Sequence, residues 1–97
     1  MAMARMDREG YLVDWSEWDE EVAQVLARDE GIEHLTEKHW LVISFIRNYY
    51  EDFQQIPSLR KICTHTGLNT LEIYRLFPSG PVRGPCRIAG LSSLSGC

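Results

Sequence analysis

From residue 36 onward the apolar side chains return at intervals of three and four: Trp40, Ile43, Ile46, Tyr50 and Phe53 form one stripe, while Glu37, Lys38, Arg47, Glu51 and Asp52 fall elsewhere. Thr36 can accept from the first unpaired N–H groups, so the pattern predicts a helix through about residue 53. Its aromatics read as core packing rather than a ligand platform, and His34 and His39 as surface or capping residues. Upstream, Ser16 with Asp19 resembles a capping box, and Trp18, Val22, Val25 and Leu26 recur at helical spacing. A first helix is expected over roughly 16–28, ended by Asp29, Glu30 and Gly31. Downstream, Pro57 and Ser58 open a third helix whose Leu59, Ile62 and Cys63 share a face, which makes Cys63 an expected buried core thiol; Gly67 closes it. Asn69 and Glu72 have capping-box spacing and start a short fourth helix carrying Leu71, Tyr74, Leu76 and Phe77, which Pro78 stops. Before all of these, Gly10–Tyr11–Leu12–Val13 alternates weakly and is a candidate short strand or hairpin arm.

These elements predict a mainly α fold, α+β only through a small N-terminal β element. The expected shape is a compact helical array with a helix-turn-helix-like pair, residues 1–90 forming one domain and 91–97 a flexible arm. A chain of 97 residues has room for one core. No apolar run approaches the length of a membrane span or resembles a signal peptide, so no membrane insertion and a cytoplasmic location are expected.

Net charge is −4 but unevenly placed. Residues 1–53 hold thirteen Asp and Glu against five Lys and Arg, or −8; residues 54–97 hold Glu72 against five cations, or +4. All three cysteines lie in the basic half, where a positive field favours thiolate and attracts anions. No pair has C-x-x-C spacing, so neither a metal site nor a cofactor is expected. The pair joined by Thr66, Gly67 and Leu68 raises DNA binding as a rival function. Its second helix, however, offers one cation, Arg75, where phosphate contact and base readout use several. That argues against direct DNA regulation.

The chemistry concentrates after Pro78. In PSGPVRGPCRIAGLSSLSGC, Pro85 can begin a short helix over 85–89 that Gly90 ends. Cys86 is then expected in the opening turn, where unpaired N–H groups and the helix dipole support a thiolate, with Arg83 and Arg87 on either side. The tail LSSLSGC has no cap and no charge, so it is expected to be mobile unless docked, with Cys97 at its end. A thiol on such an arm can enter another protein's active site, accept sulfur as a persulfide and be attacked by a resolving thiol on the parent domain. A frayed tail with an incidental cysteine is the plainer alternative.

The run LFPSGPVRGPCRIAGL followed by Gly96–Cys97 resembles the C-terminal signature of the DsrC family, the gamma subunit of dissimilatory sulfite reductase, and of its relative TusE. EGYL at residues 9–12, EKHWLVISFIRNYY at 37–50 and the segment 56–66 extend the likeness. The resemblance implies a largely helical domain and a sulfur carrier with no independent turnover, a sulfurtransferase-like substrate protein. In it Cys97 bears sulfite-derived sulfur and Cys86 forms a disulfide or trisulfide with it. The implied partners are the catalytic subunits of dissimilatory sulfite reductase and a membrane-bound heterodisulfide-reductase-like complex that reduces the trisulfide, or other sulfur-relay proteins. TusE-type members, which relay sulfur toward tRNA 2-thiouridine, keep only the terminal cysteine, so the pair favours the DsrC type. Arg60 matches an arginine of the family's P-x-x-R segment. It, Arg83 and Arg87 are candidate holders of an anionic persulfide or the tail carboxylate, since guanidinium donates in a permanent charged fork. Two departures stand out. The tail lacks the prolines usual in the family, which predicts a looser arm, and the N-terminus is short of the family's first strand, which predicts a reduced β element.

Overall fold

The computed structural model describes residues 6–8 and 11–91. Among these a 3-10 turn, Trp15–Glu17, precedes five helices: α1 Glu20–Asp29, α2 Glu37–Phe53, α3 Leu59–Thr66, α4 Thr70–Leu76 and α5 Arg83–Ile88. The boundaries of α2 to α4 follow from local chemistry. The His39 imidazole accepts the Thr36 N–H at α2, the Ser58 side chain accepts from Lys61 N–H at α3, and Asn69 and Glu72 exchange bonds at α4. Gly67 closes α3 at φ 77°, a left-handed conformation that a side chain disfavours.

The first helix begins later than its spacing suggested. Asp14 accepts from Ser16 N–H and caps the 3-10 turn, while Asp19 accepts from Val22 N–H and caps α1. Two aspartates five residues apart each stop the chain, so the tract does not run through as one helix. Its buried residues are Ala23, Leu26 and Ala27, and Val25 faces out at 55% exposure. Among the described residues the β element is an antiparallel bridge between Met6 and Leu12, beside the Asp7 N–H bond to Tyr11 O at 2.8 Å.

The core forms around α2, which contacts both α3 and α5; α1 packs on α5 and α4 on α3. On α2 the buried line is His39, Val42, Ile43 and Ile46, one side of the helix. Phe53, placed by its spacing on that stripe, is 59% exposed because it sits in the last turn, beyond the packed part of the helix. Cys63 also departs from expectation. Ile62 takes the interior position of α3, and Cys63, about 100° further round, is a half-buried free thiol at the core's edge, 3.8 Å from the Thr70 hydroxyl. On α4, Ile73 and the following Phe77 are buried, whereas Leu71, Tyr74 and Arg75 face outward.

His39 ties two elements together. Its Nε2 lies 2.9 Å from the Leu76 carbonyl, which can only accept, so that nitrogen carries the proton and Nδ1 accepts the Thr36 N–H at 3.0 Å. Burial pushes its pKa below the ordinary histidine value, with the Leu76 carbonyl opposing. The ring meets Phe77 edge-on at 5.2 Å. Its expected capping role holds; its expected surface position does not, because the end of α4 closes over it.

Candidate functional site

Helix α5 starts at Arg83, two residues before Pro85. The Gly80 and Val82 carbonyls take the N–H groups of Gly84 and Cys86, and Pro85 between them has none to place. Cys86 is therefore the fourth residue of the helix, and its N–H is bonded to Val82 O at 3.0 Å rather than left to face a thiolate. The Cys86 side chain is fully buried, in one cluster with Ile88, Leu26 and Ile46.

The other end of α5 is held more fully. Gly90 is left-handed at φ 86° and the Leu91 N–H returns to the Cys86 carbonyl at 3.1 Å, while the Gly90 N–H meets Arg87 O at 3.0 Å. This pair of bonds is the Schellman arrangement. The next two carbonyls are taken by side chains from far along the chain: Trp18 Nε1 donates to Ile88 O at 2.8 Å and Arg47 Nη1 to Ala89 O at 2.6 Å. All four carbonyls that a helix end leaves unpaired are thus satisfied. Arg47 lies between two indoles, 3.7 Å from the Trp15 ring centroid and 3.9 Å from that of Trp18. Burial lowers its pKa, and the Glu51 carboxylate counters this. The C-terminal end of α5, from Ile88 to Leu91, is fixed in place by Trp18, Arg47 and Gly90.

The arginines beside Cys86 are engaged. Arg87 pairs with Glu30, and with Asp29 at 2.7 Å, so two carboxylates of the α1 end offset its charge. Arg83 Nε donates to the Tyr11 hydroxyl at 3.1 Å. Tyr11, Glu30, Ser79, Arg83 and Arg87 line a small polar depression of about 270 Å³. Arg60 lies elsewhere: it is exposed in the first turn of α3 and borders a depression shared with Phe45, Tyr49 and His65. The structure thus brings Arg83 and Arg87 together on the helix of Cys86 and leaves Arg60 apart. Cys97 and the arm over 92–97 lie outside the described residues. Among those described, no group of His, Cys, Asp or Glu has the makings of a metal site, and no helix is long and apolar enough to cross a membrane.

Trp18, Arg47, Glu30 and Tyr11 were not legible as site residues, because each meets α5 across more than forty intervening positions. Only the invitation was visible: a helix ending in Gly90 leaves carbonyls that some donor must take.

The family described as DsrC like protein matches residues 2–97. The chain belongs to the DsrC-like family. It is 41% identical over 92 residues to the sulfurtransferase TusE of Pectobacterium atrosepticum, covering 88% of this chain and 84% of that one. It is 35% identical over 92 residues to the dissimilatory-type sulfite reductase subunit gamma of Nitratidesulfovibrio vulgaris, covering 95% and 88%. Its fold matches the crystal structure of the oxidized gamma subunit, DsrC, from Archaeoglobus fulgidus with a TM-score of 0.85 at 40% identity, over 97% of this chain and 91% of that one. The resemblance read from residues 76–91 and the helical architecture are both upheld by these matches.

Proposed function

We propose that this DsrC-like chain is a sulfur carrier of dissimilatory sulfur metabolism, with Cys97 as the sulfur-bearing thiol and Cys86 as its resolving partner. The observation that carries the reading is the presence of both cysteines in a DsrC-like chain, the first on a helix whose end is pinned a few residues before the second. In the transfer step a Cys86 thiolate attacks the inner sulfur of a Cys97 persulfide; the new disulfide forms as hydrosulfide leaves, and no outside oxidant is needed. A sulfur arriving two electrons more oxidised is instead retained between the two as a trisulfide, which a reductase must later open. The supplier is then a sulfite reductase and the consumer a membrane-bound heterodisulfide-reductase-like complex, with the chain itself in the cytoplasm and carrying no cofactor. Arg83 and Arg87 lie on the helix of Cys86 and border a depression that also holds Glu30, so Arg87 meets an anionic sulfur only by giving up its carboxylates; Arg60, on α3, lies apart.

The test is intact mass after mild oxidation of the full chain in a Cys63→Ser background, which removes the half-buried competing thiol. A loss of two hydrogens is expected, absent after Cys86→Ser or Cys97→Ser. An unchanged mass in the two-cysteine protein would sink the mechanism.

The similarity to TusE supports a second reading, a relay toward tRNA 2-thiouridine in which Cys97 alone matters. Complementation of a TusE-deficient strain separates the two. Restoration of thiolation by Cys86→Ser as well as by the parent favours the relay.

A further inference from the structure

One side of α2 is only partly used by the core, which takes Trp40 and part of Phe45. Glu37, Leu41, Phe45, Asn48 and Asp52 succeed one another at intervals of three and four, a line distinct from the buried His39, Val42, Ile43 and Ile46. They line a groove of about 900 Å³ that His65 and Thr66 close from the end of α3. The fifteen steps from Glu37 to Asp52 rise roughly 22 Å, about four helical turns. Leu41 is 51% exposed and Phe53, at the far end, 59%. Between them the rings form a continuous run: His65 stacks on Phe45 at 4.3 Å, and Tyr49 lies 5.8 Å from Phe45 and 4.7 Å from Phe53. An apolar strip of this length along a helix fits the face of another helix.

Charge selects among occupants. Glu37 and Asp52 stand at opposite ends of the line, while Arg60 and Lys61 border the adjoining depression of about 630 Å³, which shares Phe45, Tyr49 and His65 with the groove. If two copies paired by this strip in antiparallel fashion, Glu37 of each would meet Asp52 of the other; in parallel, each carboxylate would meet its own copy. Either arrangement sets like charges against each other, which disfavours self-association. We infer that the groove receives an amphipathic helix of a different protein. That helix carries large apolar side chains on its contacting face, basic residues toward both ends and an acidic residue where it passes Arg60 and Lys61. The groove's described lining includes neither Cys86 nor Arg83 nor Arg87, so a partner seated there leaves the α5 depression open. The inference stands on α2 and α3 and goes beyond the sulfur-carrier reading, supplying a place where a partner can grip the body.

The probe is a synthetic peptide of about eighteen residues, long enough at helical rise to span the groove, with Leu and Phe along one face, Lys near both ends and Glu near its middle. Added to the isotope-labelled full chain, it should shift the amide resonances of Leu41, Phe45, Tyr49, Phe53 and His65. Binding should weaken about tenfold or more in Leu41→Glu and in Phe53→Glu, both at exposed positions that the fold does not need, and a charge-reversed peptide should bind less well. Absence of shifts, or shifts indifferent to both substitutions, would overturn the inference. So would a concentration-dependent dimer in sedimentation that both substitutions abolish, since that gives the groove to a second copy. Single-stranded RNA binding more tightly than the peptide, and lost in Arg60→Glu, would overturn it in favour of a nucleic acid. Disulfide formation between Cys86 and Cys97 is expected to be unchanged in Leu41→Glu, so failure here and failure of the sulfur-carrier reading remain distinguishable.

Discussion

Replacing Gly90 by alanine brings a methyl carbon to 2.6 Å from Cδ1 of Trp18 and 3.1 Å from Cδ2 of Leu12. The first distance is far inside van der Waals contact, and the ring cannot retreat cheaply. Moving Trp18 stretches its bond to the Ile88 carbonyl and unstacks it from Arg47. Two costs combine. A side chain at φ 86° loses roughly 1–2 kcal/mol to backbone strain, and forcing a methyl into filled space costs about 1–3 kcal/mol. A loss of about 2–5 kcal/mol is substantial against the roughly 5–15 kcal/mol typical of a domain. At roughly 4–8 °C per kcal/mol for a chain of this size, Tm should fall by roughly 8–40 °C. Gly67→Ala is the control: its φ is 77°, but nothing lies within 4 Å of the added carbon, so only the backbone cost applies. Urea titration of both variants, checked for equal slopes, measures the difference. If they lose the same stability within about 0.5 kcal/mol, the margin to which distant sites usually add, the close approach at the root of the tail is not as described.

Arg87→Ala leaves Glu30, whose side chain is only 9% exposed, without its ion-pair partner. Glu30 keeps the Ser79 hydroxyl, so the loss is that of a charge-assisted bond, about 1.5–3 kcal/mol, and adding Glu30→Gln should recover part of it in chemical denaturation; no recovery in the double variant refutes the pairing. His39 makes stability fall with acid. Its folded pKa is lowered, so its contribution is complete above about pH 6.5, the unfolded value, and is lost as pH drops through the folded one. A melt series from neutral pH downward should therefore steepen in the parent relative to His39→Gln, and a ring proton titrating at or above the ordinary histidine range counts against this.

The parts of the fold that the sequence disclosed are those decided within a few residues. Thr36, Ser58, the Asn69–Glu72 pair, Gly67 and Pro78 each act on backbone groups one turn away, and α2 to α4 begin and end where they do for that reason. The start of α1 was less legible, since Asp14, Ser16 and Asp19 all compete to cap and only packing decides between them. Burial was harder still. Cys63 and Ile62 are neighbours of similar hydrophobicity, and which one faces inward depends on how α3 lies on α2. The same holds at the site. Proline, glycine and two arginines marked α5 as special, but that Cys86 is covered, Arg87 neutralised and the helix end held by Trp18 and Arg47 follows from contacts formed only when distant segments meet.

The covering of the Cys86 sulfur carries a kinetic consequence. Small oxidants and soluble thiols encounter only the molecules that have momentarily opened, so the expected exchange rate is the intrinsic one scaled by that sparse population. Protection is thereby built in without any change to the sulfur itself, and whatever favours the open form sets when that sulfur can react.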